Sequence, residues 1–230
     1  MYILVTVADV VQIPPNDFSK ASTRAIEDWI NNKYADKVVH KVGLVIGLHS
    51  IITTSEGLIG HGTGIVNVNV DFRLIVFRPF KGEILRGTIT GSQMQEGITL
   101  SMDFFEDITV PPSLLYDGTT FGTEDGEELF VWHADDGEGG VNDYYFDQAE
   151  KCLWRAENEE WYDLSPQQQK PPEMMDEAEQ AEGRKVPYRI VGSMLHSGLG
   201  PTLWWLGEED VAAEQEDDGV EVEGAEVNGS

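Results

Sequence analysis

From Ile65 to Phe77 the chain alternates without a slip. Val66, Val68, Val70, Phe72, Leu74 and Val76 fall on one side, and Asn67, Asn69, Asp71 and Arg73 on the other. A period of two held this long admits a strand with one face in a core and little else. At about 3.3 Å per residue the strand spans roughly 43 Å, more than a small domain requires. It stops at Arg78-Pro79-Phe80, and a second apolar alternation, EILRGTI, begins almost at once. Pro79 has no N–H for a ladder and pushes Arg78 toward extended geometry, so one sheet ends without the chain turning back. This predicts a domain boundary here, with domains at 1–80 and 81–206. Phe77 and Phe80, on either side of the proline, are expected to bury and to make a short, stiff, apolar joint in an elongated body.

Charge changes at the same place. The formal net charge of −27 over 230 residues is unevenly spread: residues 1–80 hold seven acids and seven bases, whereas 81–155 hold sixteen acids against four bases. The last 24 residues carry ten acids and no Lys or Arg. A body this acidic repels phosphate backbones, which argues against tight non-specific nucleic-acid binding. One cysteine, Cys152, allows no internal disulfide and suits a reducing compartment. The opening MYILVTVADVV is interrupted by Asp9 and lacks a basic flank, so it reads as a strand rather than a signal peptide. No apolar run reaches the roughly 18 residues of a membrane span, and no membrane association is expected.

Within the first domain, residues 2–12 read as a strand closed by Pro14-Pro15, and Ile26, Trp29, Ile30 and Tyr34 recur at helical spacing within 16–34. A strand over 38–49 is apolar enough to predict burial on both faces. The run SEGLIGHGTG places Gly57, Gly60, Gly62 and Gly64 within eight residues. These glycines open a strand and not a helix, and no Lys-Ser/Thr follows, so phosphate binding is not expected. A protruding loop that docks on a partner is the better reading. Beyond the joint, GEILRGTITG, GITLSMDFF, DITVPPSLL, ELFVWHA, DYYFDQ, LWRAENEEWYDL and VPYRIVGSML are short strands at a spacing that predicts a small closed barrel. The acidic, proline-rich stretch at about 165–183 reads as an extruded loop, and 207–230 as a disordered tail.

Catalysis finds no footing in these residues. The five histidines are scattered without partners at metal-ligand spacing, Cys152 reads as a packed strand residue, and carboxylate pairs are unremarkable among 42 acids. No enzyme activity, metal or cofactor is expected.

GHGTGIVNVNVDFRLIVFRPFKGEILRGTI strongly resembles the hallmark of the larger stalk subunit of archaeal and eukaryotic RNA polymerases. GITLSMDFFEDITVPPSLL and VPYRIVGSMLHSGLGPTLWW resemble the RNA polymerase III member of that family. The resemblance covers about residues 1–206 and implies a truncated RNP-like α+β tip domain followed by an all-β OB-fold barrel. It further implies a nuclear, non-catalytic subunit that pairs with a smaller helical stalk subunit, plugs its tip into the polymerase core and supports initiation. By position, Gly57, Gly60, His61, Gly62 and Gly64 would face the core. Phe77, Pro79, Phe80, Gly82 and Glu83 would make the interdomain contact and support the partner.

OB barrels hold single strands with a basic groove and stacked aromatics, and bases are few here. The candidates are Arg86, Lys151 and Arg155, with Phe104 or Trp154 as stacking faces, and the expected contact with nascent RNA is weak and steeply salt-dependent. A free-standing single-stranded RNA-binding OB protein is the competing reading. It would need a basic groove and would have no use for an apolar tip and joint.

Overall fold

A computed structural model describes residues 1–124, 126–135, 140–164 and 186–205. The acidic stretch at 165–183 and the tail at 207–230 lie outside the described residues. Contacts divide the chain into two units, Met1–Glu83 with Asn158–Ile190, and Ile84–Glu157 with Val191–Ser230.

The first unit is built on one antiparallel sheet. Its elements are β1 (Tyr2–Ile13), α1 (Ser22–Tyr34), β2 (Lys37–Val39), β3 (Gly43–Thr54), β4 (Leu58–Ile59) and β5 (Val66–Phe77). The strands run in the order β1-β5-β3-β2, with β4 also on β5. The alternating strand is β5, which lies inside the sheet between β1 and β3. β1 pairs with it over its whole length, from Tyr2 opposite Phe77 to Ile13 opposite Val66. Val68, Val70, Phe72, Leu74 and Val76 form the core with Val11, Ile13 and Val45, closed by Ala25, Ile26 and Ile30 of α1. The helix starts later than its periodicity suggests, because Pro15–Asp17 forms a separate 3₁₀ turn. β3 is not buried on both faces: three register shifts against β5 swing its apolar residues outward, and Ile46 and Ile52 are exposed. A bulge adds a residue on one strand only and so defeats a simple count of faces.

The second unit holds β6 (Ile84–Gln93), β7 (Gly97–Met102), β8 (Phe105–Val110), β9 (Thr119–Glu124), β10 (Glu127–Asp135), β11 (Val141–Tyr145) and β14 (Gly200–Pro201). Two further strands, β12 (Lys151–Trp161) and β13 (Tyr188–Ser193), contribute residues to both units. The path β13-β8-β7-β6-β12 closes on itself through a β13–β12 pairing, giving a five-stranded barrel of OB type. Ile89, Ile98, Leu100, Ile108, Val110, Cys152 and Trp154 fill it, each 0–1% exposed. The barrel has fewer strands than the sequence suggests. β10 and β11 pair with β9 in a separate three-stranded sheet. The local signal for a strand is the same in either sheet, and only the long-range pairing tells them apart.

Candidate functional site

Three places carry the residues that the sequence marks. The first is the tip. β4 and the start of β5 form a hairpin, with Leu58 opposite Asn67 and Ile59 opposite Val66. Its turn is closed by the Gly60 N–H donating to Ile65 O at 2.8 Å and the Thr63 N–H donating to Gly60 O at 3.3 Å. Gly62 and Gly64 have φ of +81° and +66°, conformations that side chains with a Cβ rarely adopt, so this tight turn needs glycine there. His61 is exposed beside them. The turn presents two side chains the glycine count did not reveal: Leu58 and Ile59 are 70% and 73% exposed.

The second place is the segment that ends β5. Phe77 and Pro79 are buried, and Phe77 meets the Tyr2 ring edge-on at 5.9 Å. Phe80 is 65% exposed, which corrects the expectation that both phenylalanines bury. The backbone turns at Gly82, φ +88°, and brings Glu83 back onto the segment. One Glu83 oxygen accepts from the Met1 ammonium at 2.6 Å and the other from the Phe80 N–H at 3.1 Å. Arg78 is more than a strand end. Its Nε and Nη2 grip Glu159 at 3.0 and 2.8 Å, and Nη1 donates to Lys41 O at 3.0 Å. The hydrogen bond to Glu159 raises the pKa of the guanidinium, with burial opposing. Tyr188 donates to the same carboxylate at 3.2 Å and stacks on Trp161 at 4.1 Å. Burial, with the Glu159 charge adding to it, pushes the Tyr188 phenol up.

The third place is the outer wall of the barrel. β12 pairs with β6 so that Lys151 faces Thr88, Leu153 faces Arg86 and Arg155 faces Ile84. Residues opposite each other share a face, and so do alternate residues along a strand. Arg86, Lys151 and Arg155 therefore stand together on one outward face, while Leu85, Gly87, Cys152, Trp154 and Ala156 point inward. These three are the only Lys or Arg in Ile84–Glu157, and Val191–Ser230 has none. β7 and β8, the usual ligand strands of an OB barrel, carry Glu106 and Asp107 and no base. Arg155 lies 3.1 Å from Glu157.

Phe104 is 40% exposed in the turn after Ser101, the residue that pairs with Thr88. Trp154 is 0% exposed, wedged between Gly87 and Gly192. A ring with no open face cannot stack a base, so Trp154 belongs to the core. Cys152 is buried beside it, and burial pushes its thiol up to about 12, with the Glu150 charge adding to the shift.

On the three-stranded sheet, His133 does have partners: its Nδ1 lies 2.6 Å from Asp143 and its Nε2 2.9 Å from the Thr120 hydroxyl. This polar line ties β9, β10 and β11 together on an exposed face. Among the described residues no group of three His, Cys, Asp or Glu side chains could hold a metal ion. No described helix is long and apolar enough to cross a membrane.

Comparison with known proteins adds to this geometry. Residues 83–205 match the family model of RNA polymerase III subunit Rpc25. Residues 8–64 match the SHS2 domain found in the N terminus of Rpb7p/Rpc25p/MJ0397. The chain is similar to the DNA-directed RNA polymerase III subunit rpc8 of Schizosaccharomyces pombe, with 36% identity across 89% of this chain and 100% of the relative. It is also similar to the subunits RPC8 of Bos taurus and Saccharomyces cerevisiae, each 35% identical across 89% of this chain and covering 98% and 100% of those proteins.

Proposed function

The chain belongs to the RNA polymerase III subunit Rpc25 family, and from that premise we propose that it is a non-catalytic stalk subunit of RNA polymerase III that acts in the nucleus. It docks on the polymerase core through the β4–β5 tip, pairs with a smaller helical stalk subunit and supports initiation. The observation that carries this reading is the tip itself. Two large apolar side chains, Leu58 and Ile59, stand about 70% exposed on a turn braced by its own backbone hydrogen bonds. Such a knob gains from burial against another protein and gains nothing in water.

Around the end of β5, Phe80 offers the exposed apolar face for the partner subunit. Phe77, Pro79, Gly82 and Glu83 hold that segment in shape. Single-stranded RNA is touched weakly, at the Arg86–Lys151–Arg155 face with Phe104 as the candidate stacking ring.

Purification of the tagged chain from nuclei tests the assignment. The wild type should bring down a large polymerase assembly. A Leu58→Ser, Ile59→Ser double variant should keep its folded circular dichroism and its small partner but lose the core enzyme. Recovery of the wild type as a lone chain, or of the variant with an undiminished core, would refute the assignment.

A further inference from the structure

A cleft opens in the second unit, further along the strand that carries Arg86. Its walls are Gly91 and Ser92 of β6, Glu128 and Leu129 of β10, and Phe146 and Gln148 of the segment between β11 and β12. It encloses about 340 Å³, toward the lower end of small-ligand pockets. The β6–β7 ladder slips between Ile89 and Gly91, so Thr90 is an extra residue and the strand bends there. Gly91 brings no side chain into the space, and a Cβ at that position would come 3.3 Å from the Thr99 hydroxyl. Leu129 and Phe146, both buried, supply the apolar lining.

The polar lining is rich in acceptors. Gln148 donates its Nε2 to Thr90 O at 2.8 Å, which fixes the amide and leaves its oxygen to accept. Among the described residues, that oxygen, the Ser92 hydroxyl and the Glu128 carboxylate make no hydrogen bond or ion pair. No Lys or Arg lines the cleft. A ligand that fits must therefore bring donors on a compact, largely apolar body.

The cleft also continues the cationic wall. Lys151 stands opposite Thr88. The Ile89 N–H donates to Glu150 O at 2.9 Å, and the Ala149 N–H donates to Ile89 O at 2.8 Å. Residues 148–151 thus follow β6 from the wall to the cleft, a run of three or four residues and about 10–13 Å.

We infer that this cleft receives one base of the strand whose phosphates lie on Arg86 and Lys151, and that it prefers guanine. Guanine carries two adjacent donors, N1–H and the N2 amine, on its Watson–Crick edge, and one carboxylate accepts both. Uracil offers a single N–H between two carbonyl oxygens, which a carboxylate repels. Glu128 also keeps phosphate out, so the backbone stays on the wall and only the base enters. A protein cation would satisfy the same acceptors, but the track along β6 leads from a phosphate-binding wall and so favours a nucleic-acid strand. The inference rests on the RNA reading above and adds a base preference to it.

Fluorescence anisotropy on the full chain tests it, with oligouridylate and the same strand carrying one central guanosine or inosine. At 50 mM salt the wild type should bind the guanosine strand about 5- to 10-fold more tightly than oligouridylate. Inosine, which lacks the N2 amine, should fall between them. The salt slope should be the same for all three strands, because a base contact releases no counterion. Glu128→Gln should keep its folded circular dichroism and its salt slope, while the guanosine preference drops below about 2-fold. Equal binding of all strands by the wild type, still weakened by Lys151→Ala, would overturn the base pocket and leave the RNA reading standing. A guanosine preference that survives Glu128→Gln would put the base elsewhere and overturn the assignment. No binding of any strand would refute the RNA reading and the pocket together. Equal binding of all strands, with polymerase subunits lost from Glu128→Gln in the nuclear purification, would give the cleft to a protein cation instead.

Discussion

Arg78 shows how much one side chain can do at a strand end. Three of its guanidinium nitrogens are committed, two to Glu159 and one to a backbone carbonyl, and its fork also lies 5.8 Å from the Trp161 ring. Lysine would keep the charge but lose the paired geometry. Arg78→Lys should therefore cost about 1–2 kcal/mol of stability, read as a lower urea midpoint with an unchanged slope. A second anchor is Asp9, which takes Lys33 and Tyr34 each at 2.5 Å. Burial raises the pKa of its carboxyl, but the bonds from Lys33, Tyr34 and the Val10 N–H outweigh this and leave it lowered. A carboxylate with a depressed folded pKa stabilises above its unfolded value, near pH 4, and that stability fades as pH falls through the folded pKa. Asp9→Asn should thus destabilise at pH 6 and less so at a pH well below the ordinary carboxylate value. A constant gap at both pH values would show that Asp9 acts by shape alone. Neither anchor was visible in the sequence, since Arg78 and Glu159 are 81 positions apart and Asp9 and Lys33 are 24 apart.

At the scale of the strand, the period of two read most of the fold correctly and also held an unused warning. In KCLWRAE, Lys151, Leu153 and Arg155 take one side and Cys152, Trp154 and Ala156 the other. Lys151 and Arg155 therefore cannot share a surface with Trp154, and the expectation that all three meet one RNA strand fails on strand geometry alone. The same rule, applied to β6 and β12 together, brings Arg86 onto the wall with the other two. β9 carries no local signal in the sequence, because TTFGTE has neither alternation nor a long apolar run and its place depends on pairing with β10. A core role for Trp154 has a measurable consequence. A Cβ added to Gly192 would lie 2.9 Å from its ring, and among the described residues the buried indole N–H has no hydrogen-bond partner. Trp154→Phe removes that donor and should cost only about 1 kcal/mol, whereas Trp154→Ala opens a cavity and should cost about 3–5 kcal/mol. Oligouridylate binding by Trp154→Phe should equal that of the wild type. A large loss of binding in a folded Phe variant would return Trp154 to the interface.

For the molecule as a whole, charge limits how the proposed RNA contact could be made. A chain with a net −27 cannot bind a polyanion by general attraction, so affinity must come from a few local contacts. The outer wall of the barrel supplies three cations, of which Arg155 is already shared with Glu157. Each phosphate neutralised on a single strand contributes about −0.7 to the slope of log K against log salt, so three contacts give about −2. A dedicated single-strand binder with a lined groove would show a far steeper slope. Titrating oligouridylate between 50 and 300 mM salt should yield the shallow value. Arg86→Ala or Lys151→Ala should each flatten it by about 0.7, and substituting Lys33, on α1, should leave it unchanged. A slope beyond about −4 would need phosphate contacts that this wall does not have. A slope indifferent to Arg86 and Lys151 would place the RNA on another surface. On the proposed stalk reading, a shallow slope that depends on these two residues would let each phosphate exchange for salt without the strand being trapped.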